Sequence, residues 1–357
     1  MTIREEIEQR EELVLKPWAC LSARSRGRVK PETPDPIRTC FMVDRDRIVH
    51  AKAFRRLKHK TQVYISPAGD HYRTRLTHTL EVSQIARTIS RGLALNEDLT
   101  EAIALSHDIG HTPFSHAGEK VLNELVPGGF RHSENSVRVL TRIEKGRLGR
   151  GLNLSREVLD GVLNHDGFDQ GAPRASTMEG QVIFYSDKIA YVQHDIDDAI
   201  RAGLLVLDAI PRELLEVLGF THTQRISTLV NDVLSCTRRA IEEKGGGPVT
   251  VCMSPHIRQA FAELRRFMFD HVYNGDYCMA EKEKAALVVE YLFRYYSKHP
   301  TKLPEFYQEI AAEEGVAVGV ADYISGMSDN YCMAVFSEVY MPTFAPGMRL
   351  RGEWSEE

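Results

Sequence analysis

No run of apolar residues in this 357-residue chain is long enough to cross a bilayer. The N-terminal stretch "MTIREEIEQREELVL" is charged and lacks the apolar segment of a secretory signal, so membrane insertion and export are not expected. Excess positive charge is missing too: 45 Lys and Arg stand against 50 Asp and Glu, a net charge of −5. That balance argues against a protein that grips nucleic acid by overall charge and leaves only a local basic patch open. The six cysteines (Cys20, Cys40, Cys236, Cys252, Cys278, Cys332) include no C-x-x-C pair. Reduced thiols in a cytoplasmic protein are therefore expected, rather than disulfides or a cysteine zinc site. Internal repeats are also absent.

What is present is helical pattern. Residues 1–40 read as an arm, a short acidic helix followed by the proline-broken "RGRVKPETPDP". Helix is expected over 43–60, and again in "LTHTLEVSQIARTISRGL", where Leu76, Leu80, Ile85, Ile89 and Leu93 make one apolar stripe. "ISPAGDHYRTR" between them reads as a loop. "NEDLTEAIALSHD" follows, with Asp98 and Glu101 in the relation of N-cap and N3 residue. Further helices are expected over 133–144, 155–165, 177–202, 211–243, 254–273, 280–298, 303–314 and 317–336. One short strand is expected at Val249 to Met253. The fold class is mainly α: a helical bundle core over 41–205, completed by a helical C-terminal region over 206–357, with at most a short β element.

The chemistry concentrates in "ALSHDIGHTPFSHAGE", residues 104–119, which sets His107, Asp108, His111, His116 and Glu119 around one glycine and one proline. With His78 on the preceding helix and Asp187 on a later one, three helices packed side by side can aim four donors at one spot. Imidazole and carboxylate together suit a borderline-to-hard divalent ion. Any one of these residues alone reads as readily as a surface polar group or a hydrogen-bonded core histidine. His116 and Glu119 share one face of a helix beginning near Ser115, where the carboxylate either fixes the imidazole for proton transfer or forms a capping contact.

"FRRLKHKTQVY", "RLTHTLEVSQIAR", "SHDIGHTPFSHAGE", "YSDKIAYVQHDIDDAIRAG" and "VADYISGMSDNY", in that order, resemble the HD-domain phosphohydrolases, and more narrowly the dGTPase-like triphosphohydrolases of deoxynucleoside triphosphates (dNTPs). The resemblance runs from about residue 35 to about 340. It implies an HD-domain helical bundle that hydrolyses a dNTP, dGTP among the candidates, to deoxynucleoside and triphosphate. It implies one divalent ion, Mg2+ or Mn2+ first and Fe, Co, Ni or Zn next, on His78, His107, Asp108 and Asp187. It gives His116 with Glu119 to the attacking water and His132 to the leaving oxygen, with Glu134 as a candidate to orient His132. His111 faces the phosphates or hydrogen-bonds to a metal ligand.

Phosphate contacts are implied for Arg75, Lys188 and Tyr191, and deoxyribose contacts for Gln62, Val63 and Asp195. Homo-oligomers, tetramers or hexamers, are implied as well, with an effector dNTP or single-stranded DNA as further partners. The stretch from Arg45 to Lys60 is basic enough for either partner, but a solvated helix face is the favoured reading. Phe267, Phe269 and Tyr273 read as core, with Tyr273 also a candidate to stack on a base, and Asp322 and Asp329 as ties between helices. Two other functions stay open at this point. One is an HD phosphohydrolase of nucleoside monophosphates, cyclic nucleotides or alarmones; the other is a nucleotide sensor of low turnover.

Overall fold

The computed structural model describes residues 1–62, 72–167, 174–245, 247 and 249–342. Val63 and most of the loop at 65–75 lie outside the described residues. Sixteen α-helices make up the described chain: α1 (Ile3–Val14), α2 (Cys40–His50), α3 (Lys52–Arg56), α4 (Arg75–Gly92), α5 (Glu97–Ser106), α6 (His116–Leu125), α7 (His132–Arg138), α8 (Arg156–Leu163) and α9 (Met178–Arg201), then α10 (Arg212–Leu218), α11 (His222–Glu243), α12 (Pro255–Met268), α13 (Asp276–Lys298), α14 (Glu305–Glu314), α15 (Val316–Ser325) and α16 (Asp329–Tyr340). None is long and apolar enough to cross a membrane. The one strand pair among the described residues, β1 (Lys145–Gly146) with antiparallel β2 (Gly149–Arg150), is a tight hairpin the periodicity did not suggest.

Helices α4, α5 and α9 form the centre, each packed on the other two. Helices α2 and α8 cover α5, and α11 lies along α9. Their apolar faces build one core, running from Phe41 through Ile89, Leu99, Ile103, Val182 and Ile189 to Phe261 and Leu264. A second core joins α6 to α13, α15 and α16 through Phe114, Leu122, Val289, Leu292, Ile324 and Cys332.

Several expectations shift by a residue or a face. Leu80 is exposed, and α4 turns His78, Val82, Ile85, Ala86 and Ile89 inward instead. Those positions recur at helical spacing once a histidine is allowed on the buried side. Asn96, not Asp98, caps α5, its side chain accepting from the Leu99 N–H at 3.2 Å. The 211–243 helix breaks at Gly219, whose φ of +120° ends α10 before the Thr221 capping box starts α11. In Val249–Met253 the side chains of Val249, Val251 and Met253 are buried in alternation, but the segment pairs with no strand among the described residues. Its N–H groups go to side chains, Val251 to Gln181 Oε1 at 3.0 Å and Cys252 to Thr237 Oγ1 at 3.1 Å. Phe269 is exposed rather than core.

The basic stretch is not a solvated face throughout. Arg45 reaches Asp98 at 3.0 Å, Arg47 is paired with Glu32, and Lys60 is buried with its ammonium on the His111 and Ser325 carbonyls. Asp322 and Asp329 do tie helices together. Asp322 takes both ends of the Arg138 guanidinium at 2.6 and 2.7 Å, and Asp329 accepts from Thr61 N at 2.8 Å and Phe114 N at 3.0 Å.

Candidate metal centre

His78 projects from the first turn of α4, His107 closes α5, Asp108 opens the turn beyond it, and Asp187 sits midway along α9. The close packing of these three helices brings the four together. His78 Nε2 lies 3.1 Å from Asp187 Oδ1 and 3.6 Å from Asp108 Oδ2. His107 Nε2 lies 3.5 Å from Asp108 Oδ1 and 3.7 Å from Asp187 Oδ1. His107 Nδ1 is 2.7 Å from the Ala104 carbonyl and must donate to it. Burial favours the neutral ring, but Asp108 and Asp187 outweigh it and raise its pKa. In the neutral form that a metal ion requires, the ring aims its Nε2 lone pair at the carboxylates. That Nε2 is fully buried and has no hydrogen-bond partner among the described residues. A buried imidazole lone pair with nothing to accept from is costly unless a cation takes it. Two imidazoles and two carboxylates with no sulfur fit a divalent ion, without naming which.

Neighbouring groups set this arrangement. His78 Nδ1 faces His194 Nε2 at 2.9 Å, and His194 Nδ1 lies 2.8 Å from Asp195. This chain of buried groups orients the His78 ring. Asp108 pairs with Arg75, which also donates to Ser115 Oγ at 2.8 Å. Asp187 accepts from Lys188 at 2.7 Å, and Lys188 reaches Asp166 at 3.2 Å. Burial acts against charge on both carboxylates, but His107, His111 and Arg75 hold Asp108 well below the usual range, and Lys188 does so for Asp187. Both are therefore anionic before any cation arrives.

Beside these donors, Glu119 bridges two histidines. One oxygen is 3.1 Å from His116 Nδ1, and the other is 2.9 Å from His132 Nδ1 and accepts the His132 N–H at 2.8 Å. His116 is three-quarters exposed, whereas His132 is buried. Burial alone would favour the neutral His132 ring, but Glu119 outweighs it and raises its pKa. Glu134 is exposed, 4.0 Å from Arg131, and the carboxylate that contacts the His132 ring is Glu119. His111 stacks on His132 with centroids 4.0 Å apart and approaches Asp108 at 3.1 Å.

The residues matched to phosphate and sugar contacts spread outward from this point. Arg75 and Lys188 are bound to the two site carboxylates, and Tyr191, one turn beyond Asp187, accepts from Arg265 Nε at 2.6 Å. Asp195 is buried and accepts from the Tyr273 hydroxyl at 2.6 Å, which places Tyr273 among the buried polar contacts of α9. Gln62 is half-buried beside the start of α4, its Oε1 without a hydrogen-bond partner among the described residues.

Three residues at the site escaped the sequence reading: His165, Asp166 and His194. His165 Nε2 is 3.3 Å from His132 Nε2 and 3.8 Å from Asp108, and burial followed by His107 and His132 lowers its pKa to about 4. A signal for all three was available. The chain contains three His-Asp dipeptides, His107-Asp108, His165-Asp166 and His194-Asp195, and all of them converge here.

Comparison with known proteins agrees with this geometry. The HD domain model matches residues 75–192, and the phosphohydrolase-associated domain model matches 251–338. A deoxyguanosinetriphosphate triphosphohydrolase-like protein of Clostridium tetani is 55% identical over 344 residues, 96% of this chain and 97% of the relative. Like-named proteins of Caldanaerobacter subterraneus and Geobacter sulfurreducens are 52% and 39% identical, over 96% and 91% of this chain and 97% and 94% of theirs. This chain belongs to the deoxyguanosinetriphosphate triphosphohydrolase-like family of HD-domain proteins.

Proposed function

We propose that the protein hydrolyses a dNTP, dGTP first among them, to deoxynucleoside and intact triphosphate with the help of a divalent ion. The reading rests on one observation: in a chain of this family, the Nε2 of His107, without a hydrogen-bond partner among the described residues, meets His78, Asp108 and Asp187 in a buried spot flanked by Arg75 and Lys188. His78, His107, Asp108 and Asp187 would hold the ion, Mg2+ or Mn2+. Bound there, it supplies Lewis-acid polarisation of a phosphoryl oxygen.

The chain's own groups do the rest. Glu119, held ionised between two imidazoles, orients exposed His116 to take a proton from the attacking water. His132, whose charged form Glu119 favours, gives a proton to the leaving 5′-oxygen. Arg75, Lys188, Tyr191 and His111 meet the triphosphate, where charge-assisted hydrogen bonds orient it and offset its charge. The deoxyribose contacts fall to Gln62 and Asp195, and by sequence alone to Val63, which lies outside the described residues. Exposed Tyr277, Leu287, Tyr291, Tyr331 and Met333 on α13 and α16 give the homo-oligomer an apolar surface to close on, and a cytoplasmic setting suits the substrate.

Incubation with each dNTP and Mg2+ or Mn2+, singly and mixed, followed by ion-exchange separation, tests the reading. Triphosphate and deoxynucleoside are the expected products. Orthophosphate or pyrophosphate without triphosphate overturns it.

A further inference from the structure

Cys236 lies on α11 and Cys252 in the segment beyond that helix, and their Sγ atoms stand 2.7 Å apart. This is well inside non-bonded contact of two sulfurs and a short step from the disulfide bond length of about 2.05 Å. The chain around both cysteines is pinned. Thr237, next to Cys236, accepts from Cys252 N at 3.1 Å, and Asp232, one turn earlier, accepts from Ser254 N and Oγ at 2.8 and 2.6 Å. On the other side Gln181 of α9 accepts from Val251 N at 3.0 Å, and the Val251 and Met253 side chains are buried. Two sulfurs held together by hydrogen bonds on both flanks have little conformational freedom left to lose on bonding. Both cysteines are half-buried, so a small reagent has access, while Cys278 and Cys332 are buried.

We propose that Cys236 and Cys252 are a disulfide-forming pair, closing a covalent ring between α11 and the 249–253 segment in the presence of a low-molecular-weight disulfide. One of the two thiolates attacks a sulfur of the reagent, forming a mixed disulfide and releasing one small thiol. The other cysteine then attacks the protein sulfur of that mixed disulfide, forming the Cys236–Cys252 bond and expelling the second small thiol. The protein thiols give up two electrons and two protons, and the reagent is reduced to two thiols. Burial and the adjacent Cys252 push the Cys236 thiol up to about 12, which makes the reaction slow at neutral pH and faster in mild alkali. The bond would tie to α11 a segment already held by α9, the helix that carries Asp187 and Lys188.

The test uses the full chain, incubated with oxidised glutathione at about pH 8.5, alkylated and peptide-mapped by mass spectrometry without reduction. A peptide joining Cys236 to Cys252, lighter by two hydrogens and cleaved by dithiothreitol, is expected. The oxidised protein should also melt a few degrees higher than the reduced one, a gain that Cys236→Ser loses. Both cysteines alkylated, or each carrying its own glutathione, overturns the proposal. The wild-type map decides this whether or not the variant folds.

Discussion

Asp108 has a duty that His107 does not share, because it is the counter-charge of the fully buried Arg75. Asp108→Ala leaves that guanidinium unpaired and should cost about 3–5 kcal/mol of stability, measured by urea unfolding. His107→Ala removes a donor and strands no charge, so the protein should stay folded while metal content and turnover fall to background. An Asp108→Ala protein as stable as wild type would show that Arg75 does not depend on it. His194 reaches the proposed metal donors through His78. His194→Ala should therefore weaken metal affinity about 10–100-fold in a calorimetric titration while leaving the fold intact. Glu119 gives a pH prediction. Burial opposes its charge, but His116 and His132 win and lower its folded pKa. The stability it contributes is present above the unfolded value of about 4.5 and lost as pH falls below it. The gap in stability between wild type and Glu119→Gln should shrink by about 1.4 kcal/mol per pH unit below that point. A gap that stays constant down to acid unfolding would contradict this.

The His107-Asp108 pair proposed for the metal stands out in the sequence because it interrupts an apolar helix end; a helix over 133–144 is legible too, but no local pattern announces that this helix, α7, sets the turn that aims the pair. Ser136 Oγ donates to the His107 carbonyl at 2.7 Å and accepts from Gly110 N at 2.9 Å, and Asn135 donates to the Gly110 carbonyl at 2.6 Å. A Cβ on Gly110 would stand 2.2 Å from Ser136 N and 2.5 Å from the Asn135 carbonyl carbon, both backbone atoms that cannot yield. Gly110→Ala should therefore force the turn away from α7, costing about 1–3 kcal/mol or more and lowering metal affinity with it. Gly128, at φ +89° with open space around it, is the control: Gly128→Ala should cost about 1 kcal/mol and leave metal binding unchanged. The same dependence on neighbours explains the other misreadings. Leu80 fits an apolar stripe until α5 and α9 claim the His78 face instead, and Val249–Met253 has the alternation of a strand with no strand to meet. His165 and His194 carry no periodic signal at all, since what makes them part of the site is the packing of α8 and α9 against α4 and α5.

Across the whole molecule, the site lies where the two apolar cores meet. The four proposed metal donors sit on α4, α9 and the end of α5 with the turn beyond it, all in the first core, whereas His116 and Glu119 ride on α6, which is packed into the second with α13, α15 and α16. The distance between donors and Glu119 is thus set by whatever locks one core to the other. Three buried or half-buried ties do so: Lys60 to the His111 and Ser325 carbonyls, Arg138 to Asp322, and Asp329 to the N–H groups of Thr61 and Phe114. The Asp329 tie also supports a costly turn, since Phe114 and Ser115 both hold positive φ, 59° and 55°, just ahead of α6. Asp329→Ala frees two N–H groups at once and removes the restraint on that turn. Each lost hydrogen bond to a charged acceptor costs about 1.5–3 kcal/mol, so a loss of about 2–4 kcal/mol overall is expected once solvent compensates part of it. The four donors keep their own helices, so metal affinity should change less than twofold. Glu119 and His116 lose their fixed distance from those donors, and kcat should fall about tenfold or more, since small misplacements at a reacting centre are expensive. Calorimetry for the metal and steady-state kinetics for the nucleotide separate the two effects. If metal affinity and kcat fell together, the first core would itself depend on the second, and the division of labour between them would be wrong.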